Sequence, residues 1–225
     1  MSLALFDLDN TLIAGDSDYE WGKWLVHKNK VDAAYYQRMN ERFYRDYEAG
    51  GLDIYAYLEF ALAPLAQIDP DELRVLHREF MDQIIIPMWL PDAEKLLAKH
   101  RDKGDLLVII SATNRFIVEP ICARFNVDEV IATEPEMING RYTGKVLGTP
   151  SYQTGKVERL QAWLKDHSET LQDSYFYSDS INDLSLLQLV DYPVAVDPDP
   201  RLRTEAENNE WPIISLRDGI AGQNI

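Results

Sequence analysis

Ala4-Leu5-Phe6-Asp7-Leu8-Asp9-Asn10-Thr11-Leu12 is the stretch from which the rest of the chain can be read. An apolar run ends in two aspartates with one residue between them, and a threonine follows. Such a run suits a buried strand of a parallel sheet. The carboxylates then stand at its carboxyl end, where open α/β sheets hold their ligands. Two carboxylates so close resist joint ionisation, and desolvation adds to the penalty. A divalent cation or a shared proton relieves it, so the stretch reads as a site and not as core.

Working outward, the pattern alternates. Residues 106–110 read as a strand ending at Ser111-Ala112-Thr113-Asn114, with a helix to about Phe125 and a short strand at 130–132. Asn139-Gly140 is a hairpin signal inside 136–146. Residues 154–167 form an amphipathic helix with Val157, Leu160, Trp163 and Leu164 on one face. Strands follow at 174–177, ending at Ser178-Asp179, and at 193–196, with a helical stretch at 184–189 between them. This alternation predicts an α/β fold, a doubly wound parallel sheet with helices on both faces and a small β-hairpin. Residues 19–86 break it. They look helical, punctuated by Gly50-Gly51 and Ala63-Pro64, with a helix start at Asp69-Pro70-Asp71-Glu72. Residues 92–103 then read as a helix closed by Gly104. The insertion is too long for a connection, so an all-α cap domain is expected at 16–87, with the core domain built from 1–15 and 88–225.

The 225 residues carry 38 Asp and Glu against 22 Lys and Arg, a formal charge of −16, which disfavours nucleic acid and anionic membranes as partners. The single cysteine, Cys122, permits no intrachain disulfide and reads as a small core residue. No segment has the length of a membrane span, and the N-terminus carries no cleavage pattern. The expectation is a soluble cytoplasmic protein, monomeric or homodimeric, acting on a small molecule. His27, His77, His100 and His167 show no metal spacing.

Four strand-end features occur in order: Asp7-Leu8-Asp9-Asn10-Thr11-Leu12, then Ile109-Ile110-Ser111-Ala112-Thr113, then Lys156 at a helix start, then Ser178-Asp179-Ser180-Ile181-Asn182-Asp183. Together they resemble the four motifs of the haloacid dehalogenase superfamily of aspartyl phosphatases, over nearly the whole chain. The helical insertion after the first motif is most similar to the phosphoserine phosphatase-like branch. The resemblance implies a Mg2+-dependent phosphomonoesterase. Asp7 would be the nucleophile and Asp9 the acid and base. Ser111 and Lys156 would bind the phosphoryl group. Asp7, the backbone carbonyl of Asp9, Asp179 and Asp183 would hold the ion, and Asn182 would orient phosphate or substrate.

The chemistry supports those roles independently. At about 4 Å and an effective dielectric near 20, a carboxylate and a phosphate dianion repel by about 8 kcal/mol. Magnesium, a lysine and hard oxygen ligands remove that repulsion. An aspartyl-phosphate splits one difficult hydrolysis into two easier steps. Asp9 must begin protonated to serve the leaving alkoxide, which anionic neighbours would favour. Ser111 is expected at a helix start, where a hydroxyl and a backbone N–H suit a phosphoryl oxygen. Lys145 competes with Lys156, but Lys156 opens a helix.

Phosphoserine-specific members carry a glutamate shortly after the first motif to hold the substrate amine. Asp16 stands there by spacing, with Asp18 and Glu20 close behind. Their cap arginine for the substrate carboxylate would be Arg38, Arg42 or Arg45. The second motif is bulkier than a glycine-rich turn at Ala112 and Thr113, which counts against phosphoserine and favours a larger amine-bearing ester such as histidinol phosphate. Of the cap aromatics, Trp21 and Trp24 are expected nearest the substrate. The alternatives are a dehalogenase attacking carbon, a phospho-accepting signalling protein with little turnover, and a silent binding protein.

Overall fold

The computed structural model describes residues 2–217. Met1 and residues 218–225, the ends of the expected core domain, lie outside them. The strands β1 (Leu3–Phe6), β2 (Leu106–Asn114), β3 (Glu129–Ile138), β4 (Arg141–Leu147), β5 (Tyr175–Ser178), β6 (Tyr192–Val196) and β7 (Ile213–Ile214) form one sheet in the order β4-β3-β2-β1-β5-β6-β7. Every neighbouring pair is parallel except the β3–β4 hairpin. β1 is therefore flanked by β2 and β5, with Phe6 level with Ile109 on one side and Tyr177 on the other. Chain growth reverses direction across the sheet here, so the carboxyl ends of these three strands frame a crevice.

The residues of β1 divide the core. Ala4 and Phe6 join one apolar layer, with Ile109 and Tyr177, against α5 (Pro91–Lys103) and α6 (Arg115–Phe125). Leu3 and Leu5 join the other, with Val108, Ile110 and Phe176, against α7 (Thr154–His167), α8 (Leu184–Leu187) and α9 (Pro200–Asn208). Strand alternation sends each set to its own face. Leu160 is buried on α7, with Val157, Trp163 and Leu164 beside it, and Cys122 is buried on α6.

Between β1 and α5 the chain forms α1 (Ser17–His27), α2 (Ala33–Glu48), α3 (Ile54–Gln67) and α4 (Pro70–Phe80), then a π turn over Met81–Ile85 and a 3-10 turn over Ile86–Met88. Asp16, Asp32, Asp53 and Asp69 cap these four helices through their carboxylates. Much of the acidic excess is thus structural. The insertion shares the layer of Phe6: Trp21, Trp24, Leu25, Leu62 and Phe80 are buried in it. α3 lies against the hairpin, where Gly144 has a positive φ of 81° and a side chain would sit 3.4 Å from the Ala66 Cβ. No helix among the described residues is long and apolar enough to cross a membrane.

Three expectations are corrected. Ala63-Pro64 does not interrupt a helix, because α3 continues through Pro64. Its loss of one hydrogen bond is offset by the burial of Leu58, Leu62 and Leu65 on the same helix. β2 does not stop at Ile110 but runs to Asn114, with a shift of register against β3 beyond Ile110. Trp21 and Trp24 face the core, the first packed edge-on to Phe80 and Phe116, the second donating from Nε1 to the Leu76 carbonyl. α9 and β7 had no counterpart in the sequence reading.

Phe80 is fully buried among the rings of Trp21, Trp24 and His77. Phe80→Ala should destabilise the protein by about 3–5 kcal/mol, read as a lowered denaturant midpoint in equilibrium unfolding.

Candidate active site

Asp7 leaves β1 with its N–H donating to the Tyr177 carbonyl at 2.9 Å. The backbone then turns sharply: Leu12 N–H donates to the Leu8 carbonyl at 2.9 Å, and Asn10 takes a positive φ of 59°. The turn swings Thr11 towards β5. Its hydroxyl donates to Asp179 Oδ1 and accepts from the Asp179 N–H, both at 3.1 Å. From the opposite side Lys156 enters on the first turn of α7. Its Nζ lies 2.7 Å from Asp7 Oδ1 and 2.7 Å from Asp183 Oδ2. Ser178 Oγ donates to the same Asp183 oxygen at 2.7 Å. Asp7, Lys156 and Asp183 are all buried.

The start of α7 is held tightly. Gly155 N–H donates to the Tyr152 carbonyl at 2.8 Å, and a Cβ on Gly155 would fall 2.1 Å from the Pro150 carbonyl oxygen. Only glycine fits beside Lys156.

Two carboxylates share one ammonium, and the charge of a third, Asp179, is felt nearby. Burial raises the Asp7 carboxyl to about 7, with Lys156 opposing and Asp183 and Asp9 adding to the rise. Asp179 is pushed well above the usual carboxylate range by burial, then by Asp7 and Asp183. Burial works against the charge on Lys156, but Asp183 and Asp7 outweigh it and raise its pKa. Such an excess of buried anionic oxygen is what a hard dication would neutralise. Among the described residues no three His, Cys, Asp or Glu side chains form a ready metal cluster. Asp7 and Asp183 each give one oxygen to Lys156, and the remaining donor set is their other oxygens, Asp179 and main-chain oxygen. Oxygen-only, part-backbone donors suit Mg2+, which keeps water in its shell.

Asp9 is set apart from this cluster. Its Oδ1 accepts from the Ser17 N–H at 2.7 Å, and its Oδ2 from Thr113 Oγ1 at 2.9 Å and, at 3.5 Å, from Ser111 Oγ. Its pKa is raised, as a general acid requires. The cause is burial, opposed by Ser17 and Thr113, and not the anionic neighbours expected from the sequence. Ser111 departs from expectation. It lies within β2, four residues before α6, and its Oγ accepts from the Thr113 N–H at 3.1 Å. A local turn, not a helix N-terminus, directs its hydroxyl.

A pocket opens over Asp7 and Asp9, a narrow cavity of about 60 Å³. Ala112, Thr113 and Tyr152 form part of its wall, and α1, α2 and α3 with the residues flanking them supply most of the rest, including Asp16, Asp18, Phe43, Tyr44, Tyr47 and Tyr57. Asp16 caps α1, its Oδ1 accepting from the N–H groups of Asp18 and Tyr19 at 3.0 and 2.9 Å. Burial, then Asp9, lifts its pKa well above the ordinary value. Arg38, Arg42 and Arg45 are exposed and do not border the pocket, and Lys145 is exposed on β4. Asn182 Oδ1 accepts from Gln153 Nε2 at 3.1 Å and Tyr152 OH at 3.3 Å, while its Nδ2 donates to the Tyr47 carbonyl at 3.4 Å.

The site therefore contains residues that the sequence reading had not assigned. Thr11 and Thr113 lie inside the quoted motifs and were legible there as hydroxyls. Tyr47 was one of several cap aromatics with nothing to single it out. Tyr57, whose hydroxyl hydrogen-bonds Asp18, carried no signal.

Comparison with known proteins agrees with this geometry. A family model described as haloacid dehalogenase-like hydrolase matches residues 4–188. A histidinol-phosphatase of Neisseria meningitidis is 50% identical over 220 residues, covering 96% of this chain and 99% of that protein. A solved protein of unknown function from Bordetella pertussis is 42% identical with a TM-score of 0.90, covering 96% of this chain and 98% of the other. A phosphoserine phosphatase solved as a phospho-aspartyl intermediate analogue shares the fold, with a TM-score of 0.71 at 19% identity, over 98% of this chain and 95% of that one.

Two outcomes follow from the geometry. Gly155→Ala must displace the Pro150 carbonyl and should lower stability by about 1–3 kcal/mol, measured by denaturant unfolding. Burial also holds the Asp18 carboxyl at about 7, with the Tyr57 hydroxyl opposing and Asp9 adding to the rise. From about pH 4 to about pH 7 the folded protein keeps a proton there that the unfolded chain has lost, so stability falls as pH rises through that window. Asp18→Asn should therefore melt higher than the wild type near pH 8, with the difference closing near pH 4, in thermal scans of metal-free protein.

Proposed function

The chain belongs to the haloacid dehalogenase-like hydrolases, and from that premise we propose that it is a magnesium-dependent phosphomonoesterase that works through an aspartyl-phosphate on Asp7. The observation that carries the proposal is the buried Lys156 ammonium, 2.7 Å from both Asp7 Oδ1 and Asp183 Oδ2. A lone buried lysine–aspartate pair would be satisfied structurally. A lysine shared by two carboxylates, with a third nearby, leaves net negative charge that protons or a further cation must balance.

Lys156 fixes Asp7 Oδ1 and leaves Oδ2 to attack phosphorus. The new Oδ2–P bond forms as the ester P–O bond breaks, and Asp9 gives its proton to the departing alkoxide. Asp9 then takes a proton from water, which attacks the phosphorus and returns Asp7 as carboxylate with inorganic phosphate released. Bound by Asp7, Asp179 and the Asp9 carbonyl, with Asp183 reaching it through water, Mg2+ would supply the charge that offsets repulsion between nucleophile and phosphate. Lys156 adds a compact charge for the developing phosphorane. Ser111 and the Ala112 backbone contact phosphoryl oxygen, and Asn182 aligns the phosphate end.

Residues 16–87 act as the cap and residues 1–15 with 88–225 as the core, the cap excluding water while the first step proceeds. The substrate is a small soluble ester with an amine, held by Asp16. Similarity to a histidinol-phosphatase over nearly the whole chain favours histidinol phosphate over phosphoserine. So does the outward position of Arg38, Arg42 and Arg45, which leaves a substrate carboxylate without a partner. On this reading the enzyme works in the cytoplasm, as a monomer or homodimer, without nucleic acid or membrane as partner.

Asp7→Asn should lower kcat on p-nitrophenyl phosphate by at least about a thousandfold with unchanged circular dichroism. Chelation should abolish wild-type turnover and Mg2+ restore it. Undiminished hydrolysis in either experiment overturns the mechanism.

A further inference from the structure

We infer, resting on the phosphatase reading above, that Asp18 and Tyr57 are the pair that selects the leaving group, accepting a second nitrogen cation and rejecting a carboxylate. The pocket has two kinds of wall. Beyond Asp7 and Asp9 at its floor, the polar wall is Asp16 and Asp18 from the start of α1. The rest of its lining is largely aromatic and aliphatic, with Phe43 and Tyr44 from α2, Leu52, and Ile54 and Tyr57 from α3, Tyr57 standing beside Asp18. Among the described residues no lysine, arginine or histidine borders it. Lys156 cannot serve there, since both of its carboxylate partners are within the phosphoryl site.

The two acids are not equivalent. Asp16 spends one carboxylate oxygen on two backbone N–H groups as the cap of α1. Asp18 caps nothing. Its hydrogen-bond partner is the Tyr57 hydroxyl. That hydroxyl stays protonated, because burial, then Asp18 and Asp16, raise its pKa well above the ordinary value. It therefore donates to the Asp18 carboxylate, which fixes that group in the wall while leaving its other acceptor sites towards the pocket. A flat cationic ring or an ammonium between this carboxylate and the Tyr44 and Phe43 rings would gain a charge-assisted hydrogen bond and a cation–π contact at once. An ester bearing a carboxylate would bring it against Asp16 and Asp18 with no cation in reach. One nitrogen cation for Asp16 and another for Asp18 describe a diamine-like or amine-plus-imidazole leaving group, with phosphate as its only anion.

The test uses three esters with Mg2+: histidinol phosphate, with an amine and an imidazole; phosphoserine, with an amine and a carboxylate; and p-nitrophenyl phosphate, with neither. The readout is the ratio of kcat/KM for histidinol phosphate to that for p-nitrophenyl phosphate. Asp18→Asn should lower this ratio by about 30-fold, mainly through KM, and Tyr57→Phe by about fivefold, the scale of one charged and one neutral hydrogen bond. Asp18→Asn should also narrow the preference for histidinol phosphate over phosphoserine. A ratio within about twofold of wild type in Asp18→Asn, with native circular dichroism, overturns the assignment while leaving the phosphatase reading intact. A wild type that turns over none of the three esters overturns both.

Discussion

The site is organised by the ammonium of Lys156, held between two buried carboxylates from different strands. Asp7 ends β1 and Asp183 follows β5, and neither could be buried beside the other without a cation between them. Loss of one partner from such a cluster leaves an uncompensated buried charge, typically at a cost of about 3–5 kcal/mol. The arrangement requires β1 between β2 and β5 and α7 packed behind them. It also requires a helix start so close to the Pro150 carbonyl that residue 155 has no room for a side chain. Topology, helix entry and electrostatics thus serve the same few cubic ångströms.

What was legible in the chain followed from how local each signal is. Asp7, Lys156 and Asp183 lie at or near strand and helix ends, and their order resembles the motifs of the haloacid dehalogenase superfamily, so their convergence was expected. Ser111 was misplaced because nothing local marks a strand that continues past its apolar run; the register shift against β3 that carries β2 to Asn114 is a tertiary effect. The raised pKa of Asp9 was foreseen with the wrong cause. Adjacent acids are visible in sequence, whereas burial is a property of what packs over them. Trp21 and Trp24 sit nearest the hinge in sequence, yet helix phase turns both into the core and presents Tyr44 and Tyr47 from α2 instead.

The net charge of −16 also has a structural reading. Asp16, Asp32, Asp53, Asp69 and Asp199 each accept from backbone N–H groups at helix starts, and several more acids surround the pocket. The interior acids have an opposite energetic sign to the caps. A cap is stabilised by the helix dipole and by its hydrogen bonds, whereas Asp7, Asp16, Asp18 and Asp179 are held above their ordinary pKa by burial. Asp16 is both at once, which ties the stability of α1 to the charge of the pocket.

The insertion and the core meet where chemistry and recognition join. The end of α2 is held by three contacts from the sheet side: Asn182 Nδ2 to the Tyr47 carbonyl, Tyr47 OH to Ser180 Oγ, and Arg201 Nη1 to the Ala49 carbonyl. Asn182 is in turn oriented by Tyr152 and Gln153, which immediately precede α7 and Lys156. The residues that lead into Lys156 therefore also position the helix that supplies the aromatic wall. A change in the start of α7 would be felt at both ends of the pocket, so the site is one coupled object, and catalytic and specificity effects at residues 152–156 should not separate cleanly.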